Sequence, residues 1–261
     1  GVHGETPSHP ELLDYLAWQF RDEDQWSLKK TVRRLVLSRT YQMSSAHDAA
    51  ASAKDPENRW LWHMPRRRLS AESIRDAMLS ASGQLDPGRG GPSLGLELNG
   101  NINGAGGNVN PATWGGQIAE SIKHRRSIYL PLPRQRPAGE LEILGVFDFP
   151  HPSEIVGARP NTTVATQALF LINSPFVKQQ AARLAERLLK ETVDDRERIN
   201  RLSLLTGGRP AESDEIETAL AFLDDCQREL GSQTSADAVR AAAWTQLCHA
   251  VLGSNMFLFL E

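Results

Sequence analysis

The stretch that decides the reading of this chain is Asp55–Gly91, DPENRWLWHMPRRRLSAESIRDAMLSASGQLDPGRGG. Its centre is a capped helix. Ser70 is a good N-cap, and Ala71–Ala81 holds strong helix formers with no Gly or Pro. Leu69, Ile74, Ala77, Met78 and Ala81 recur at helical spacing and predict one buried face. Gly83 is placed to close the helix in a left-handed cap. Glu72 and Asp76 are four positions apart, so both carboxylates share a face, with Arg75 beside them. Two like charges at that spacing repel unless cations answer them. Arg66, Arg67 and Arg68 lie just upstream, and the planar guanidinium suits a carboxylate. Two readings follow. In one, the arginines and acids form an ion-pair knot that pins the preceding loop to the helix. In the other, Glu72 and Asp76 are an acid/base pair or part of an anion site. The first is favoured, because structural ion-pair networks are common.

Working outward, the N-terminal part predicts two amphipathic helices. Ser8-His9-Pro10-Glu11 reads as a capping box opening a helix to about Phe20, with Leu12, Leu13, Leu16, Ala17 and Phe20 on one side. Ser27 caps a second, Leu28 to about Ser38, apolar along Leu28, Val32, Leu35 and Val36 and basic along Lys29, Lys30, Arg33 and Arg34. The short connection predicts an antiparallel pair. His47, further on, is expected to be an exposed loop histidine.

Residues 86–116, rich in Gly, Asn and Pro, read as a flexible loop or insert. GNINGAGG lacks the strand, helix and Lys-Ser/Thr that a phosphate loop needs. Lys123–Arg126 is a second basic cluster, in which Arg125 and Arg126 are candidate binding residues. Ser127–Leu130 and Leu141–Phe149 are the strand candidates, with Pro131 and Pro133 limiting the first to an edge. Asp148 is expected to anchor a turn. The C-terminal half predicts helices over about 164–172, 176–191, 194–205, 214–229 and 236–252, with Gln167 buried and in need of a partner. Cys226 and Cys248 fit either two buried thiols or one disulfide. Cys248 and His249, adjacent on a helix, point about 100° apart and make no nucleophile pair.

Across 261 residues with 40% hydrophobic and 23% charged content, the composition is that of a globular domain able to bury a core. A net charge of -3 speaks against general nucleic-acid binding. No apolar run is long enough for a membrane span. There is no CxxCH, so no covalent haem site and no cofactor is expected within the chain. The histidines have no metal-ligand spacing. The sequence contains no complete catalytic motif and leaves open whether any reaction is catalysed. Starting at Gly1, without Met or a signal peptide, it reads as a fragment of a larger protein or a processed product.

The central stretch also carries a family resemblance, together with HPELLDYLAWQF, SLKKTVRRLVLSRTYQMSS, RRSIYLPLPR, FDFP, TTVATQALFLINSPFV and AWTQLCHAVLGSNMFLFLE in the same order. The chain resembles a planctomycete-specific C-terminal domain of unknown function that accompanies c-type cytochrome segments in large extracytoplasmic proteins. It departs from that pattern after FDFP, where HPSEIVGARPNTT replaces a cysteine-containing segment, and in the Gly/Asn insert. The resemblance implies an extracytoplasmic location and partners within the same parent chain, a c-type cytochrome among them, with a glycan as a further candidate. Tyr41 and the serines after it match a motif that recurs in that family, which implies a buried hydrogen-bonding role for Tyr41 as a binding residue. The expected fold is a mainly α, irregular multi-helix bundle over 1–261, with a small β-hairpin-like element and long loops. The expected role is binding or docking. The alternative is a carbohydrate-active hydrolase using Glu72 and Asp76, with an arginine-lined anionic substrate site.

Overall fold

Helix-forming segments with good caps account for most of the architecture. A computed structural model of the chain describes residues 6–90, 123–130, 141–151, 154–231 and 235–260. The described residues carry eleven α-helices and one two-stranded antiparallel sheet, so the fold is mainly α. They fall into two compact units, divided after Arg67. Residues 91–116 of the expected insert lie outside the described residues.

The first unit contains α1 (Pro10–Trp18), a π-helical turn (Gln19–Glu23), α2 (Leu28–Val36) and α3 (Ala49–Lys54). Pro10 starts α1 at a position where its missing N–H costs nothing. His9, not Ser8, is the N-cap, and Ser8 Oγ bonds the His9 ring instead. The Ser27 hydroxyl caps α2 by accepting from Lys30 N. The apolar faces of α1 and α2 are not closed against each other as the sequence predicts. Leu12, Leu13, Leu28 and Val32 are all at least half exposed. What orders this unit is polar. Asp24, 2% exposed, takes both Nη atoms of Arg34 at 2.8 and 2.9 Å and the Thr31 hydroxyl at 2.9 Å. That clamp fixes the π turn to α2, while Gln25 and Trp26 hold left-handed backbone between them. Asp55, also buried, accepts from Arg59 N and Trp60 N, and the Trp62 indole donates to its carbonyl. Asp24 and Asp55 are the buried residues among the described ones here; no apolar side chain joins them.

The second unit holds the core. It comprises α4 (Ala71–Ala81), a 3-10 turn (Ser127–Tyr129), α5 (Glu142–Val146), α6 (Ala165–Asn173), α7 (Pro175–Glu191), α8 (Asp195–Thr206), α9 (Ser213–Leu230), α10 (Ala236–Leu252) and α11 (Asn255–Leu258). The main seam joins α7 to α10. On α7, Val177, Ala181, Leu184, Ala185 and Leu188 are fully buried, the i, i+4, i+7 spacing of one helical face. On α10, Ala243, Trp244, Cys248 and Leu252 match them at 0% exposure. Ile74, Met78 and Leu79 of α4 belong to the same core. The sheet pairs β1 (Arg67–Arg68) with β2 (Phe259–Leu260), next to a Leu69 N–H bond to the Leu258 carbonyl at 2.8 Å.

Two expected strands are helical instead. Leu141–Phe149 contains α5, because Ile143, Leu144 and Phe147 recur at i, i+1, i+4 and all enter the core. Ser127–Tyr129 is a 3-10 turn, because Asp76 gathers the Ser127 N–H and hydroxyl at one carboxylate. The small β element thus lies at the start of α4 and the end of the described chain. The two cysteines are free buried thiols, which settles the choice left by the sequence.

Candidate functional site

On α4, the Ser70 hydroxyl caps the helix by accepting from Ser73 N, and the four-residue spacing puts Glu72 and Asp76 on one face. They do not share partners. Asp76 Oδ1 accepts from Ser127 N at 2.9 Å, from the Ser127 hydroxyl at 2.7 Å and from Arg75 Nη1 at 3.3 Å. Arg75, 1% exposed, also donates to the Arg125 carbonyl at 3.0 Å and to the Lys123 carbonyl, with its guanidinium carbon 6.0 Å from the Phe176 ring. Asp76 and Arg75 together therefore hold residues 123–127 against α4. Glu72 instead receives Arg159 Nη1 on both oxygens, at 2.8 and 3.0 Å. Arg159 lies over the Phe149 ring at 5.3 Å.

This corrects the expected partners of the acid pair. Arg75 and Arg159 face the acids, whereas Arg68 is committed to a second knot. Its Nη2 meets Asp148 Oδ2 at 2.7 Å and its Nη1 donates to the Thr162 carbonyl. Asp148 sits at φ 62, a left-handed conformation that is uncommon outside Gly. It also accepts from the Thr162 N–H and hydroxyl at 2.8 Å. Burial pushes the Asp148 carboxyl up, but Arg68 and the two Thr162 donors outweigh it and hold the group below its ordinary range. Gln167 completes the knot: its amide donates to the carbonyls of Val146 and Thr162 at 3.1 Å, and its Oε1 accepts from Val164 N. The expected buried Gln167 has its partners, and Asp148 anchors a turn as expected.

The other candidates are dispersed. Arg66 and Arg67 belong to the first unit, with exposed side chains. Tyr41 is in that unit too, and at 54% exposure it is not the buried residue the resemblance implies. His47 is an exposed loop residue, as expected. Arg125 and Arg126 flank the Tyr129 ring, at 4.3 and 5.6 Å from its centroid. The Tyr129 hydroxyl accepts from Gly90 N at 2.9 Å, which with the neighbouring guanidinium groups pulls its pKa down. Cys248 is 0% exposed and its thiol is pushed up by burial, while His249 Nε2 turns to the Leu171 carbonyl at 2.8 Å. They form no nucleophile pair. Among the described residues, no three His, Cys, Asp or Glu side chains converge as a metal site.

Sequence reasoning did not find a cavity of about 680 Å³ among the described residues, walled by α6, α9 and α10 and floored by Phe147, Leu258 and Phe259. Its signal in sequence is the helical spacing of Val164, Ala168, Leu171 and Ile172, which reads equally well as core. Neither Glu72 nor Asp76 lines it.

The fold and these contacts define a mainly helical protein in which Glu72, Asp76 and Asp148 are tied into ion-pair and hydrogen-bond knots. The chain belongs to the PSD1 family, described as protein of unknown function (DUF1553), whose model matches residues 1–223. No curated protein and no solved structure matches the chain.

Proposed function

We propose that this chain is a docking module of a longer extracytoplasmic planctomycete protein, seated against other domains of the same parent chain, a c-type cytochrome domain among them. One observation carries the reading. Within residues 6–67, Leu12, Leu13, Trp18, Leu28, Val32 and Trp60 are exposed at 46–72%, and no apolar side chain described there is buried. Apolar surface on this scale marks an interaction site. Exposed Lys29, Lys30 and Arg33 border it on α2, giving the apolar centre and charged rim of a protein interface and favouring an acidic partner surface.

The geometry counts against the hydrolase alternative. Glycoside hydrolysis needs two carboxyl groups on either side of a scissile bond. Glu72 and Asp76 stand on one helix face, and each is held by donors of its own.

The test is a triple substitution, Leu13→Glu, Leu28→Glu and Val32→Glu. In the isolated 261-residue chain the unfolding midpoint is expected to stay put, because exposed positions shift stability by about 0.5 kcal/mol or less each. In the parent protein the domains are expected to separate, read as a larger radius of gyration by small-angle scattering. An unchanged parent contradicts docking through this surface. The parent reading frame is expected to contain an export signal and an upstream CxxCH; their absence contradicts the location and the cytochrome partner.

A further inference from the structure

We infer that the cavity between α6, α9 and α10 is a binding site for a small, uncharged aromatic or polycyclic alcohol. Its volume of about 680 Å³ lies in the range of small-molecule sites. Phe147, Phe222 and Phe259 supply aromatic walls, and aromatic ligands gain from offset or edge contacts with such rings.

Charge narrows the class. Arg68 is the one permanently charged side chain among the described lining residues. Asp148 at 2.7 Å already balances it, and the Thr162 carbonyl takes its other terminal nitrogen. An anion entering the cavity would meet a guanidinium whose charge Asp148 balances and whose unpartnered Nε is buried out of reach, and a cation would find no carboxylate among the described lining residues. Desolvating either has no compensation there.

Hydrogen bonding narrows it further. The Leu171 carbonyl can only accept, so His249 Nε2 carries the proton of the bond at 2.8 Å. In the neutral imidazole this leaves Nδ1 as an acceptor, and it has no partner among the described residues. Gln246, also in the lining, accepts from the Cys226 thiol through Oε1 at 3.6 Å, leaving its amide N–H groups to donate. A hydroxyl group suits both, giving its proton to His249 and accepting from the Gln246 amide. The described lining residues all lie outside residues 6–67, and the test of this site does not depend on docking.

Equilibrium dialysis of the 261-residue chain against three probes of one shape tests it: beta-naphthol, methoxynaphthalene and naphthalenesulfonate. Beta-naphthol is expected to bind saturably at one site per chain. Methoxynaphthalene, lacking the donor, is expected to bind about threefold to tenfold more weakly, the value of one net hydrogen bond. The sulfonate is expected to be weaker still. Ala168→Trp, at an exposed position on the cavity wall, is expected to lower beta-naphthol affinity at least tenfold with unchanged circular dichroism. Ala250→Trp on the α10 wall replaces it where the first variant does not fold. No saturable binding, affinity untouched by the tryptophan, or equal binding of all three probes overturns the inference.

Discussion

Removing one carboxylate of the α4 pair separates a structural acid from a chemical one. In Asp76→Ala, the Ser127 N–H and hydroxyl lose their acceptor, and Ser127 is 5% exposed. Each buried donor left unmade costs about 1–3 kcal/mol. Arg75, at 1% exposure, loses the carboxylate 3.3 Å from its Nη1, and breaking a buried pair costs about 3–5 kcal/mol. These contributions overlap. The Asp76 side chain is also 24% exposed, so water reaches part of the gap. The expected loss is therefore about 3 kcal/mol, the low end of the buried-pair range. Asp76→Asn keeps a carbonyl acceptor for Ser127 and loses only the charge, so about 1–2 kcal/mol is expected. Glu72→Ala breaks a pair whose arginine side chain is 51% exposed, worth about 0–1 kcal/mol after solvent screening. Urea unfolding followed by far-UV circular dichroism measures all three. A catalytic pair would show two similar, small stability losses. Asp76→Ala costing under about 1 kcal/mol, or no more than Glu72→Ala, would refute the anchoring role.

Three further outcomes follow from the same contacts. Asp148 has a lowered folded pKa, so its stabilisation is full above the ordinary carboxylate value near 4 and is lost as pH falls through the lower folded value. Acid titration of unfolding free energy is expected to show this loss, and Asp148→Asn is expected to flatten it; an equally steep loss in the variant counts against the Arg68 knot. Glu191, held low first by Arg187, and Glu215, held low first by Arg209, add to the same acid loss by smaller, screened amounts. A thiol reagent is expected to leave Cys248 untouched in the folded chain and to count two thiols in denaturant without reductant; finding none there would mean a disulfide. Trp244→Ala, emptying a fully buried site in the α10 face, is expected to cost about 3–5 kcal/mol, and a loss under 1 would place that ring outside the core.

Local signals in the sequence predicted local structure well. The helix expected over 236–252 is α10 to the residue, because the Ser235 hydroxyl caps it onto Ala238 N and Gly253 follows its last residue. The α4 helix follows from Ser70 in the same way. The helix expected over about 214–229 starts one position earlier, at Ser213, since Glu212 is the N-cap of α9 and Glu215 reaches back to its N–H. Long-range pairing was out of reach. Arg159 is 87 positions from Glu72, and Arg68 is 80 from Asp148. A guanidinium beside a carboxylate in sequence gives no register across such a span. Arg66–Arg68 were matched to the nearest acids, where the fold sends Arg68 elsewhere. Ile128 and Tyr129 have strand propensity, yet the carboxylate of Asp76 pulled their neighbour Ser127 into a turn. Hydrophobic periodicity marked α1 and α2 as helices. It could not say that Leu12, Leu13, Leu28 and Val32 stay uncovered, because amphipathicity predicts a partner surface without supplying it.

Hydrogen exchange read peptide by peptide gives the most direct comparison of the isolated 261-residue chain with the longer parent protein that the docking proposal calls for. With docking through residues 6–67, amides of Pro10–Trp18 and Leu28–Val36 exchange quickly in the isolated chain and slow by at least tenfold in the parent, while α7 and α10 are protected equally in both. Equal exchange of α1 and α2 in both proteins would contradict the docking role.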